Sequence, residues 1–236
     1  MEIYGQTDKG ITRSQNQDSY AIVEQDDAAF LVVCDGIGGH QAGDVASRLA
    51  CDFMVDFFRR QFDMNAVAWY NQAVRKVNTL VYEKANSDPA YLGMGTTLVS
   101  AIVLPDIVYL LNVGDSRAYY LTTADRLLQI TEDHSLVNEL VTEGMDEAKA
   151  RAMGQHVITR AIGIWPQVEG DIFELTDPWK YLLLCSDGLY NYADDASLVS
   201  ILTSDQPLPA KIRQMIDKAN LSGGYDNITA VAVRRD

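Results

Sequence analysis

Three stretches of apolar sequence each meet an aspartate at one end. Residues 31–35 read LVVCD, residues 182–187 read LLLCSD, and Asp226 opens DNITAVAV. Runs of this length, rich in Val, Leu and Ile, have the composition of β-strands buried on both faces. A buried strand that stops at a carboxylate delivers that group to the edge of a rigid sheet. Three such strands bring carboxylates from distant parts of the chain to one place. Carboxylates gathered together repel unless a cation sits among them, and hard oxygen donors suit Mg²⁺ or Mn²⁺. The chain is therefore expected to build a multi-aspartate metal site at the end of a sheet.

The rest of the sequence limits which sheet this is. Residues 19–24 and 28–34 read as two strands joined by a polar turn at 25–27. Residues 42–62 follow as a helix, with Val45, Leu49, Phe53 and Phe57 at helical spacing beside Ala46 and Ala50. A second helix over 65–85 carries Val67, Val74, Val77 and Val81. Strands return at 97–103, 108–113 and 117–121, with turns at Pro105-Asp106 and at Gly114-Asp115-Ser116. A short helix is expected over 135–144. Residues 145–156 are polar and alanine-rich with little apolar periodicity, and are expected to form a mobile flap rather than core. Strands at 171–175 and 181–185, helices at 195–203 and 208–219, and a strand at 228–234 complete the chain. Tight turns between strands imply antiparallel pairing. Two sheets packed face to face, with helix pairs outside, bury every apolar face. The expected class is α+β, a sandwich of two mainly antiparallel sheets flanked by helix pairs.

The 236 residues support one sizeable core and are few for two independent domains, so a single domain over 1–236 is expected. Thirty-three acidic residues against 19 basic ones give a net charge of −14, which disfavours a nucleic-acid partner. No window approaches the length of a membrane span. The N-terminal residues MEIYGQTDKG lack the parts of a signal peptide, so a cytoplasmic location is the expectation, with no membrane partner and a monomer as the simplest state. The three cysteines, Cys34, Cys51 and Cys185, show no CxxC spacing and are read as core residues rather than ligands or nucleophiles.

The chemistry-bearing motifs are individually weak. VVCDGIGGHQAGD at 32–44 ends a strand at Asp35 and turns through glycines into a helix. A phosphate-cradling loop is one reading, but the Lys-Ser/Thr pair of the P-loop and GxGxxG spacing are both missing. A nucleotide-binding protein is thus disfavoured. Asp35 followed by the flexible Gly36 suits a metal better, since the Gly36 carbonyl offers another oxygen. Asp187-Gly188, Asp226-Asn227 and Asp115 at a hairpin tip each pass alone for turn residues.

Together and in this order, these motifs resemble the metal-dependent protein phosphatases, the PPM or protein phosphatase 2C family, in compact bacterial form. The resemblance covers essentially the whole chain. It rests on Gly5-Gln6-Thr7-Asp8-Lys9-Gly10, Arg13, Asn16-Gln17-Asp18, Asp35-Gly36-Ile37-Gly38-Gly39-His40, Gly95-Thr96-Thr97, Gly114-Asp115-Ser116-Arg117, Ser186-Asp187-Gly188 and Asp226-Asn227. It implies a four-layer α-β-β-α sandwich and a serine/threonine phosphatase acting on phosphoproteins, opposed by a Ser/Thr protein kinase. It implies that Asp35 bridges two ions, with the Gly36 carbonyl on one, and that Asp187 and Asp226 ligate the other. Asp115 with Asp187 is implied to hold a weaker third ion, Asp18 to reach the metals through water, and Arg13 to hold the substrate phosphate. Two ions about 3.5–4 Å apart generate hydroxide at neutral pH and neutralise developing charge, so in-line attack on phosphorus needs no covalent intermediate. A guanidinium fork matches two phosphate oxygens.

Two departures bear on the proton. Eukaryotic members place a histidine directly after the Asp-Gly pair, where this chain has Ile37. His40 stands at the histidine of the bacterial pattern and is the candidate general acid, with metal-bound water as the alternative. Asp44 replaces the glutamate of many bacterial relatives. His134 and His156 have no supporting context. Residues 145–163 correspond to the family's flap, which 159–163 close, and are expected to set substrate choice. A pseudophosphatase, a regulatory binding module on the same fold, is the alternative function. Loss of metal aspartates would favour it, and Asp35, Asp187 and Asp226 are all present.

Overall fold

The computed structural model describes residues 1–25, 27–38, 42–154 and 157–235. In chain order they form β1 (Glu2–Asp8), β2 (Asp18–Gln25), β3 (Ala28–Ile37), α1 (Ala42–Gln61), α2 (Ala66–Ala85), β4 (Gly95–Thr96), β5 (Leu98–Val103), β6 (Val108–Val113), β7 (Arg117–Thr122) and β8 (Leu127–Gln129). Then follow α3 (Leu136–Thr142), α4 (Glu147–Gly154), β9 (Asp171–Leu175), β10 (Trp179–Cys185), α5 (Asp187–Tyr190), α6 (Asp195–Thr203), α7 (Leu208–Leu221) and β11 (Ile228–Arg234). One sheet runs β1-β11-β10-β7-β8 and the other β2-β3-β5-β6-β9, with β4 paired to β3. Every strand pairing is antiparallel.

The continuous apolar runs are explained by burial on both faces. On β3, Ala29, Leu31 and Val33 enter the core between the sheets, where they meet Leu182, Leu184, Val231 and Val233. The alternate residues Phe30, Val32 and Cys34 face α1 and α2. On β10, Tyr181, Leu183 and Cys185 face the other helical layer, with Met215 and Ile216 of α7. The layers are thus helices, sheet, sheet, helices. Phe30 stacks on Phe58 of α1 at 4.9 Å and meets Trp69 of α2 edge-on at 5.6 Å, which ties the first helix pair to its sheet. All three cysteines are buried and free. Burial pushes the Cys185 thiol up to about 12, so it offers no thiolate near neutrality.

Three differences from the sequence reading have physical causes. Strand β1 lies at the edge of its sheet, paired only with β11, and is half-buried along most of its length, so its sequence EIYGQTD carries no apolar run. It passes so close to β2 that a Cβ at Gly5 would stand 2.6 Å from the Tyr20 ring. Strand β8 is three residues long and only half-buried, below the length at which alternation is visible. The polar segment expected as a flap without core character contains the helix α4, anchored by the buried Ala150. A single buried alanine leaves no periodic apolar signal. No helix among the described residues is long and apolar enough to cross a membrane.

Candidate metal centre

The candidate carboxylates meet at one end of the two sheets. Asp35 stands near the end of β3, directly opposite Asp18, the first residue of β2. Its backbone is clamped from the neighbouring strand. The Asp35 amide donates to Thr97 Oγ1 at 2.9 Å, the Thr97 amide returns a bond to the Asp35 carbonyl at 2.9 Å, and Thr96 Oγ1 donates to that carbonyl at 2.9 Å. Gly36 comes next because nothing larger fits. A Cβ there would stand 2.1 Å from the Gly43 carbonyl oxygen and 2.6 Å from that of Gln17. The glycine in the DG pair is therefore set by backbone crowding, and the strand end, the N-terminal loop and the start of α1 close onto one another.

Asp187 opens the short helix α5 after β10, and Asp226 precedes β11, which runs antiparallel to β10 as its carboxylate at the opposite strand end requires. Close packing joins the two turns: a Cβ on Gly188 would stand 2.0 Å from the Asn227 carbonyl oxygen. Asn227 also fastens the N-terminal loop. Its amide group donates to the carbonyls of Lys9 and Gln15 at 2.8 and 2.9 Å, and its Oδ1 accepts from the Gln17 amide at 2.8 Å. This residue was read from the sequence as part of a turn signal; the structure gives it the task of bringing Arg13 to the carboxylates. Arg13 Nη2 donates to Asp226 Oδ2 at 2.7 Å, and Arg13 Nε to the Tyr225 carbonyl at 3.3 Å. The guanidinium is half exposed, so it remains open to a solvent-borne anion.

Asp18 is the most enclosed member. Its Oδ2 accepts from Ser186 Oγ at 2.7 Å and from Thr229 Oγ1 at 2.6 Å, while its Oδ1 is buried with no hydrogen-bond partner. Burial pushes its pKa up to about 7; the Ser186 and Thr229 bonds oppose that rise, and the charges of Asp187 and Asp226 add to it. Asp115, at the β6–β7 tip, also rises to about 7, from burial first and then from Asp187 and Asp133. Asp35 is driven well above the usual carboxylate range by burial, then by Asp18, Asp187, Asp115 and Asp226. Asp35 thus feels the charge of all four other candidate aspartates.

Such a group fits hard divalent ions. It offers several carboxylate oxygens, one of them buried and unpartnered, and a backbone turn too tight for a side chain. Among the described residues, no three His, Cys, Asp or Glu side chains stand close enough to grip one ion directly. The three carboxylates implied for one ion, Asp35, Asp187 and Asp226, are thus not drawn together as a direct set. A site that uses one or two carboxylates per ion and fills the remaining positions with water meets that limit, and this is the usual habit of Mg²⁺. His40 and His156 lie outside the described residues.

A cleft of about 330 Å³ leads from this group. Asp115, Asp187, Asp133, Asn138, Glu147 and Arg151 are among its walls, so it runs between the carboxylates and helices α3 and α4. A larger cleft of about 580 Å³ lies between α2 and the 166–170 loop leading into β9, and none of the five aspartates lines it. The smaller one has the chemistry. Arg117 borders it, held by Asp133 at 2.7 Å and set over the Tyr190 ring at 3.6 Å from its centroid.

His134 is the residue that sequence reasoning passed over. It is 6% exposed and carries hydrogen bonds to three separate segments. Only its place in TEDHS, after a strand and before a helix, hinted at a fixed position.

Comparison with known proteins shows the family of the chain and its fold. The family model described as protein phosphatase 2C matches residues 9–220. A curated protein from Listeria innocua named serine/threonine phosphatase stp is 39% identical over 98% of this chain and 94% of its own. Protein phosphatase PhpP of Streptococcus pneumoniae is 36% identical over 99% of this chain and 97% of its own. Among solved structures, serine/threonine phosphatase Stp1 from Staphylococcus aureus superposes with a TM-score of 0.92 at 33% identity, covering all of this chain and 95% of that one.

Proposed function

Since this chain belongs to the protein phosphatase 2C family, we propose that it is a metal-dependent serine/threonine protein phosphatase that works at the Asp35–Asp187–Asp226 end of the two sheets. The observation that carries this reading is the convergence of Asp18, Asp115, Asp187 and Asp226 on Asp35, which feels the charge of all four, with Arg13 beside them. Mn²⁺ or Mg²⁺ would be held by Asp35, the Gly36 carbonyl, Asp187 and Asp226, with Asp115 and Asp187 serving a third position. When bound, paired divalent ions supply an activated water at neutral pH and offset the charge of a phosphate dianion.

The chain's own residues have distinct tasks around that chemistry. Arg13 exchanges its bond to Asp226 for two phosphate oxygens and orients the ester. Asp18, tied down by Ser186 and Thr229, aims its free oxygen into the site and orients water there. His40 delivers a proton to the departing serine or threonine oxygen. Residues 145–163 form the flap that selects the phosphoprotein, with the 330 Å³ cleft as its path. The substrate must be made by the reverse class of reaction, phosphoryl transfer from a nucleotide to a protein hydroxyl. A cytoplasmic Ser/Thr kinase is thus the matching partner for a monomeric cytoplasmic enzyme. The pseudophosphatase alternative requires a missing ligand, and no candidate aspartate is missing.

Phosphate release from a phosphothreonine peptide, with and without Mn²⁺, tests the reading; no release at any Mn²⁺ concentration refutes it. Arg13→Ala is expected to raise KM for the peptide by roughly tenfold or more, since charge-assisted hydrogen bonds are worth about 1.5–3 kcal/mol. An unchanged KM removes Arg13 from the phosphate. His40→Ala is expected to slow alkyl phosphate esters far more than aryl ones, whose leaving groups need no proton. Equal slowing of both classes removes the general-acid role.

A further inference from the structure

His134 sits between two parts of the molecule that the proposed reaction needs in register. On one side is the hairpin tip bearing Asp115. The Gly114 amide donates to His134 Nδ1 at 3.0 Å, and the His134 amide donates to the Gly114 carbonyl at 3.0 Å. On the other side is the closing end of the flap. The Thr159 amide donates to the His134 carbonyl at 2.9 Å, and residues 135 and 158 form a β-bridge. The imidazole's second nitrogen, Nε2, lies 2.9 Å from Asp171 Oδ2, and Arg160 Nη1 reaches Asp171 Oδ1 at 3.1 Å.

The pattern fixes the ring. A nitrogen that accepts from a backbone N–H carries no proton, so Nδ1 is bare and Nε2–H donates to Asp171. One orientation of one tautomer thus bonds the hairpin tip and strand β9 at once. Gly114 has φ +112°, a conformation that side chains resist, and a Cβ there would stand 2.7 Å from Thr97. The tip is therefore an unusual backbone turn with external supports. Tyr190 Oη holds the Asp115 carbonyl at 2.9 Å, and His134 holds Gly114.

We propose that His134 is a positioning residue that clasps the Asp115 hairpin tip to the closing segment of the flap, so that the outer ion position at Asp115 and Asp187 forms fully only with the flap end docked. This deepens the phosphatase reading and rests on it. Ions paired at Asp35, Asp187 and Asp226 would not depend on the clasp, because Thr96 and Thr97 hold the Asp35 backbone and the Asp187 and Asp226 turns pack on each other through Gly188 and Asn227. The clasp makes the weakest metal position report on whether the flap is seated.

The test compares His134→Ala with His134→Asn. Alanine removes both side-chain bonds. Asparagine keeps an acceptor near the place of Nδ1 but cannot reach Asp171. For His134→Ala, amide hydrogen exchange in the metal-free protein is expected to speed up at Gly114 and across 157–163. Direct Mn²⁺ titration, read by the spin resonance of free Mn²⁺, is expected to show the weakest site loosened by roughly tenfold and the tighter sites unchanged. For His134→Asn, Gly114 protection and weak-site affinity are expected to recover toward wild type while 157–163 stays fast. Wild-type exchange and wild-type weak-site affinity in the alanine variant overturn the proposal, and so does asparagine behaving like alanine at Gly114. Should the alanine variant lose its cooperative melting transition, the asparagine variant decides: a protected Gly114 with a fast 157–163 supports the clasp, and wild-type exchange at 157–163 overturns it. A wild type with no Mn²⁺-dependent hydrolysis refutes the phosphatase reading separately, because the exchange experiment needs neither metal nor substrate.

Discussion

Asp187→Asn is expected to abolish phosphoester hydrolysis while leaving the fold intact and the metal-free protein more stable. The loss follows from removing the one carboxylate proposed to serve both the paired ions and the outer position. Divalent ions supply several kcal/mol of charge stabilisation to such a transition state, and each 1.36 kcal/mol is a factor of ten, so a fall of roughly a hundred- to a thousandfold or more is expected. The gain in stability comes from the same charge. Asp187 raises the pKa of Asp18, Asp35 and Asp115, so its carboxylate adds to a cluster that repels itself when no cation is present. Asparagine keeps the size and removes the repulsion. Turnover on a phosphothreonine peptide and thermal melting in chelator are the two measurements. Activity near wild type would remove Asp187 from the site, and a metal-free melting temperature below wild type would remove the repulsion argument.

Stabilisation by Mn²⁺ is expected to grow steeply with pH between about 5 and 7.5. The sign follows from the raised pKa values. Asp18 and Asp115 rise from 3.8 to about 7 in the folded, metal-free chain, so over that window the folded state holds protons that the unfolded state has released. Stability without metal is then present in full below pH 3.8 and is lost as pH rises toward 7. Each such carboxylate costs about 1.4 kcal/mol per pH unit, an upper figure since the two share their neighbours. A bound divalent ion holds the same carboxylates ionised and removes that loss. Melting curves with saturating Mn²⁺ and with chelator, taken at pH 5, 6 and 7.5, should diverge as pH rises. A metal-induced shift that is constant with pH would place these carboxylates away from the ions.

Much of the site could be read from the sequence because each candidate aspartate adjoins a recognisable strand. LVVC, LLLC and ITAVAV are continuous apolar runs, and such runs are what two-sided burial demands, so the positions of Asp35, Asp187 and Asp226 at strand ends followed directly. The turn at Gly114-Asp115 likewise announces itself by composition. Strand β1 and helix α4 were not visible, for a shared reason. Each buries little of itself, so neither leaves a periodic apolar trace.

The sequence alone determined the order of the strands and helices that bury an apolar face, the carboxylates at strand ends and, through its motif set, the family. It did not determine which polar residues hold those carboxylates in place. Asn227 and His134 look like ordinary turn and loop residues along the chain, yet one fastens the N-terminal loop carrying Arg13 and the other joins the hairpin turn at Gly114 to strand β9. Their partners lie far away in sequence, and a hydrogen bond between distant segments leaves no local pattern. Burial repeats with the period of a strand or helix and is therefore written into the sequence, whereas the aim of a single polar group is fixed only when packing brings its partner within reach.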